Sequence, residues 1–135
     1  MSASSSKEDF PANEAVQLGL GWEPLTDSPS EWIESDFTLH PNVFTQIGTW
    51  ANKAGNAWVT SFKLSCRKFT SEDTVMLNPA SNSEIFEGNN DGLEQKINAF
   101  APVMCSHIRL YPLTWSTNIA LRWSLGFCHR KLKLK

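Results

Sequence analysis

Two stretches of strict alternation constrain this chain more than anything else in it. In WVTSFKLSC, residues 58–66, Trp58, Thr60, Phe62, Leu64 and Cys66 fall on one side of an extended backbone; Val59, Ser61, Lys63 and Ser65 fall on the other. In NIALRWSLGF, residues 118–127, Ile119, Leu121, Trp123, Leu125 and Phe127 alternate with Ala120, Arg122, Ser124 and Gly126. A period of two sends successive side chains to opposite faces of a sheet, so each run reads as a strand with one face on a core. No convincing amphipathic helix of ten or more residues competes with them. Turn chemistry separates the apolar runs: Gly19, Gly21, Pro24 and Pro29 in one loop, Asn90-Asp91-Gly92 in another. The pattern predicts an all-β sandwich or barrel whose core includes Trp58, Phe62, Leu64, Ile108, Leu110, Ile119, Leu121 and Leu125. A short helical turn is expected at PANEAV, where Pro11 suits a first helical position. The serine-rich residues 2–9 read as a loop.

At 135 residues the chain is one domain with enough surface to bury a core without metals. Its net charge of −2 hides an asymmetry. Residues 1–128 carry eight Lys/Arg and all fourteen acids, a balance of −6, and the tail 129–135, HRKLKLK, adds four positive charges. An acidic body argues against a nucleic-acid partner, which needs a basic face. No apolar run has the roughly 18–20 residues of a membrane span, and MSASSSKEDF lacks the apolar segment of a signal peptide. A cytoplasmic protein and a piece of a secreted parent both fit these facts. Three cysteines mean that at least one is unpaired within the chain. Cys66 and Cys105 fall on different strands, and nothing in the sequence brings their Cβ atoms within bridging range, so free thiols are expected. His40, His107 and His129 show no metal-ligand spacing, and no Ser/His/Asp or Cys/His motif is present. Neither metal, cofactor nor catalysis is expected.

The order of WVTSFKL, IFEGNNDG and HIRLYPLTWSTNIALRWSLGFC resembles the discoidin domain, also called the coagulation factor V/VIII type C domain. SASSSKEDFPANEAV, GWEPLTDSPSEWIESDF and FTQIG match the family's earlier segments in order, so the resemblance covers residues 2–128. It implies a discoidin-type, eight-stranded jelly-roll β-sandwich of the galactose-binding-domain-like kind, non-catalytic, that binds ligands through loops at one end. Met1 stands directly before SASS, where the family has a first strand and a cysteine; both are expected to be missing, which leaves Cys128 unpaired and the fold weakened. The resemblance also implies an extracellular or cell-surface setting. Its ligands would be anionic phospholipid membranes in the first place; the alternatives are galactose-like glycans and protein ligands such as collagen.

By resemblance, the binding loops map to Ser4–Phe10, Thr49–Ala54 and Trp115–Asn118. Six residues are expected to meet the ligand: Phe10, Trp50, Lys53, Trp115, Asn118 and Arg122. Trp50 lies outside both alternating rails, between Gly48 and Gly55, and is expected to be an exposed loop tip. Phe10 shares its loop with Lys7, although Glu8 and Asp9 there would repel an anionic surface. Arg122 faces away from its apolar rail, and the resemblance puts the matching arginine in a pocket suited to phosphate or carboxylate. Trp115 and Asn118 border that pocket by resemblance. Trp22, Trp32, Trp58 and Trp123 are expected in the core, and the basic tail is a candidate for contact with an anionic surface.

Overall fold

A computed structural model of the chain describes residues 1–40, 42–68, 74–79 and 83–127. Among these residues there are eight strands: β1 (Ser2–Ala3), β2 (Ile33–Asp36), β3 (Asn42–Trp50), β4 (Trp58–Lys68), β5 (Thr74–Met76), β6 (Phe86–Glu87), β7 (Lys96–Ser116) and β8 (Arg122–Phe127). The helical turn expected at PANEAV is present as a single 3-10 turn, Ala12–Glu14. All strand pairings are antiparallel, in the order β1-β2-β7-β3-β8, with β4 joining β7 and carrying β5 and β6. The all-β expectation holds. The serine-rich start is less loose than it reads, because Ser2 and Ala3 pair with Glu34 and Ile33.

β7 organises the sheet. Its first half pairs with β3, from Lys96 opposite Thr49 to Cys105 opposite Asn42. Its second half pairs with β2 through residues 107–110 and with β4 from Cys105 to Ser116. Sequence alone reads QKINAF and HIRLYP as separate strands; Pro102, which donates no ladder hydrogen bond, stands in the APVMCS between them and hides their continuity in one strand of 21 residues.

The core is a cluster that includes Trp22, Ile33, Phe44, Ile47, Phe62, Leu64, Phe86, Ile108, Leu110, Ile119, Leu121 and Trp123. The rings of Phe62 and Phe86 stack at 5.3 Å between centroids, 6° from parallel. Two of the four expected core tryptophans are elsewhere. Trp32 is half-buried, with the Arg109 guanidinium 3.7 Å above its ring. Trp58 is displaced by register: β4 is irregular against β7 between Val59 and Ser61 and again between Ser61 and Phe62. An extra residue in a strand reverses the facing of what precedes it. Phe62, Leu64 and Cys66 therefore keep the predicted inward face, whereas at the start of the strand Val59 turns in and Trp58 is left half-buried.

The cysteines also depart from expectation. Cys66 and Cys105 form a disulfide with Cα atoms 5.6 Å apart, both fully buried, cross-linking β4 to β7. The reason is the diagonal register of those strands, which sets Cys66 opposite Ile108 and Cys105 opposite Lys68. Cys128 and the basic tail 129–135 lie outside the described residues.

Candidate binding cleft at the loop end

Four connections meet at one end of the sheet: Ser4–Phe10, the segment 19–25, Ala51–Ala57 between β3 and β4, and Thr117–Leu121 between β7 and β8. Backbone hydrogen bonds lock them together. Lys7 N donates to Glu23 O at 2.8 Å, Glu23 N to Phe10 O at 3.1 Å, and Lys53 N to Leu20 O at 3.0 Å. Trp22 and Leu121 exchange backbone bonds of 2.8 and 3.0 Å, which fixes the second and fourth connections to each other. Gly21 adopts φ +111°, a left-handed conformation that side chains avoid, and a Cβ there would lie 3.0 Å from the Cβ of Asn52. The close approach brings Asn52 against Glu23.

Between these loops opens a cleft of about 360 Å³ lined by Phe10, Leu20, Glu23, Asn52, Lys53, Ala54, Asn56 and Asn118. Its centre is the carboxylate of Glu23, a residue only 6% exposed. Oε1 pairs with Lys7 Nζ at 3.0 Å and accepts from Asn118 Nδ2 at 3.1 Å. Oε2 accepts from Asn52 Nδ2 at 3.2 Å. Asn52 also donates to Asn56 Oδ1 at 2.9 Å and accepts from Asn56 N at 3.1 Å, which closes its own loop. A buried carboxylate costs several kcal/mol unless its lone pairs are satisfied, and three side chains satisfy this one. Glu31, also buried, accepts from the hydroxyls of Ser4, Ser5 and Thr26 and anchors the first loop. Burial pushes the Glu31 carboxyl up, but those hydroxyl bonds outweigh it and hold the group below its ordinary pKa.

Of the six residues picked from sequence, three line this cleft: Phe10, Lys53 and Asn118. The other three do not. Trp50 is 9% exposed, which overturns its expected place at a loop tip. It is the last residue of β3, paired with Arg122, so the sheet continues through what composition reads as loop. Trp115 is half-buried in β7 opposite Val59 and packs on the core. Arg122 lies neither in the cleft nor in a salt bridge to Asp36. Its Nε donates to Ala51 O at 2.7 Å and its Nη1 to Gln17 O at 2.6 Å, and the guanidinium sits 6.0 Å from the Trp50 ring centroid. Burial lowers its pKa, and its donors are spent on the main chain. Arg122 is a bracket for two loops; Asp36 pairs instead with His107.

Sequence reasoning missed Glu23, Asn52, Asn56 and Leu20. The only available signal was polar residues flanked by Gly19, Gly21 and Gly55, which marks loops without saying which of them converge. Among the described residues no group of three or more His, Cys, Asp or Glu is placed to hold a metal. No helix among them is long and apolar enough to cross a membrane.

The family model of the F5/8 type C domain matches residues 1–125. The chain belongs to that family. Neuropilin-2 of Homo sapiens is 31% identical over 112 residues, which are 80% of this chain and 12% of that protein. This F5/8 type C domain thus spans a small part of a much longer relative. Discoidin II of Dictyostelium discoideum shares the fold with a TM-score of 0.82 at 21% identity, covering 96% of this chain and 55% of that one. A family 32 CBM from C. perfringens NanJ, solved in complex with galactose, superposes with a TM-score of 0.64 at 14% identity and 91% coverage of both chains. The family is one of ligand-binding modules, and this F5/8 type C domain carries its candidate site where four loops meet.

Proposed function

We propose that this F5/8 type C domain is a glycan-binding module that receives a galactose-like sugar in the Glu23 cleft. The carrying observation is the convergence of Lys7, Asn52 and Asn118 from three separate loops on the buried carboxylate of Glu23. A sugar ring offers hydroxyls that both donate and accept, together with an apolar face. The cleft answers with a carboxylate acceptor, amide groups, the Lys53 ammonium, and the ring of Phe10 beside Leu20. Support comes also from the galactose complex of the family 32 CBM, whose fold this chain shares.

Charge weighs against the anionic membrane that sequence placed first. Glu8, Asp9 and Glu23 outnumber Lys7 and Lys53 on these loops, and acidic loops are repelled by an anionic leaflet. One observation favours the lipid reading: Leu18, Leu20 and Leu25 are 87%, 44% and 66% exposed around the same end. A glycan array run beside phosphatidylserine and neutral vesicles separates the two. Galactose-bearing glycans should bind, Asn118→Ala should weaken them at least tenfold, and vesicles should not bind. Vesicle binding without glycan binding would sink the proposal. The buried Cys66–Cys105 disulfide supports an oxidising, extracellular or cell-surface setting, since such bonds are rare in reducing compartments.

A further inference from the structure

Away from the loop end, the outer face of the sheet holds a second pocket. It has a volume of about 170 Å³ and is lined by Glu34, Ser65, Arg67, Thr74, His107, Arg109 and Tyr111, from β2, β4, β5 and β7. These side chains alternate with the inward-facing Ile33, Leu64, Cys66, Ile108 and Leu110, so the pocket is built on rigid strands rather than on loops.

Its charges are not all balanced. Arg109 is held over Trp32, and its Nε donates to Glu34 Oε1 at 3.0 Å, which matches one positive charge with one negative. His107 has Ser106 Oγ at 2.9 Å from Nδ1 and Asp36 at 3.5 Å from Nε2. Arg67 is different. Half-buried at the rim, its guanidinium forms no ion pair or hydrogen bond with any described residue. Beside it stand hydroxyls that can donate: Ser65, whose Oγ is 3.3 Å from Tyr111 Oη, and Thr74.

We infer that this pocket binds a tetrahedral oxyanion group, a sulfate or phosphate monoester, on the guanidinium of Arg67, which is unpaired among the described residues. A guanidinium presents a planar fork of N–H donors that grips two oxygens of such a group at once. The hydroxyls of Ser65, Tyr111 and Thr74 meet the remaining oxygens. Glu34 does not repel the ligand outright because Arg109 neutralises it across a 3.0 Å contact. The site is separate from the Glu23 cleft and stands whether or not that cleft binds sugar.

The test is calorimetric titration of the full chain at low ionic strength with inorganic sulfate, inorganic phosphate, acetate, and a sulfated oligosaccharide beside its desulfated counterpart. Sulfate, phosphate or the sulfated sugar should bind, and whichever binds tightest names the source. Arg67→Gln should weaken that binding at least tenfold and Arg67→Lys by less. Lys68→Gln, which alters a neighbouring cation outside the pocket, should leave it within twofold. Acetate binding as tightly as sulfate, equal effects of the Arg67 and Lys68 changes, or binding of the desulfated sugar alone would overturn the inference.

Discussion

Asn118 reaches across 95 residues of sequence to donate its side-chain amide to Glu23 Oε1 at 3.1 Å. The bond ties the β7–β8 connection to the segment that follows Gly21, and so sets one wall of the cleft. Nothing local in either segment announces the partnership.

Glu23→Ala should therefore disturb stability and binding together. It strands Lys7, Asn52 and Asn118, and a buried donor left without an acceptor costs about 1–3 kcal/mol. Urea denaturation should show a loss of that order. Glu23→Gln keeps the shape and should cost less, yet it should weaken ligand binding because the carboxylate is gone. A Glu23→Ala protein as stable as wild type would mean that the network is ornamental.

The two tryptophans at either side of the 51–57 connection should behave in the opposite order to the one their sequence positions predict. Trp50→Ala removes a buried ring and should cost ~3 kcal/mol or more. Trp58→Ala removes a half-buried one and should cost visibly less. Paired chemical denaturation curves decide the order.

Alkylation of the denatured, unreduced protein followed by peptide mapping should leave Cys66 and Cys105 unlabelled. Replacing both by alanine opens a loop that spans a sequence separation of 39 residues and should destabilise the fold by about 2–4 kcal/mol.

Acid should loosen the first loop. The folded Glu31 carboxyl sits below its ordinary value of 4.5. A carboxylate depressed in this way adds stability above its unfolded pKa and loses it as pH falls through the folded one. Asp36 and Asp91 are also lowered, by bonds from Thr38 and from the Glu94 and Leu93 backbone, so acid instability will not be due to Glu31 alone. Glu31→Gln should be less stable than wild type near neutrality, with a shallower decline as pH falls below the ordinary carboxyl value of 4.5. Urea midpoints across that range give the answer; parallel curves would contradict it.

What the sequence discloses follows the range of the physics. Alternation is local, so the inward set Phe62, Leu64, Leu110, Ile119 and Leu121 was readable from it. A bulge is set by the partner strand, and so Trp58 was misplaced. Trp50 was misread because its neighbours look like loop, while β8 across the sheet makes it strand. The disulfide depends on a diagonal register between β4 and β7 that neither strand encodes alone. In the cleft, family likeness found Phe10, Lys53 and Asn118, each on a loop flank; the residue at the centre, Glu23, is one acid among fourteen and stands out only once it is buried.

β7 carries one more implication, for the order of events during synthesis. Among the described residues, strand β2 has no ladder partner other than β7 apart from the short β1, and β3 pairs only with β7 and β8. A ribosome that has released residues 1–95 has therefore made most of the apolar core without the strand that joins it. Such long-range pairing folds slowly and leaves sheet edges open while it waits. The nascent chain should stay sensitive to protease until β7 and β8, through Phe127, have cleared the exit tunnel, and acquire resistance in one step afterwards.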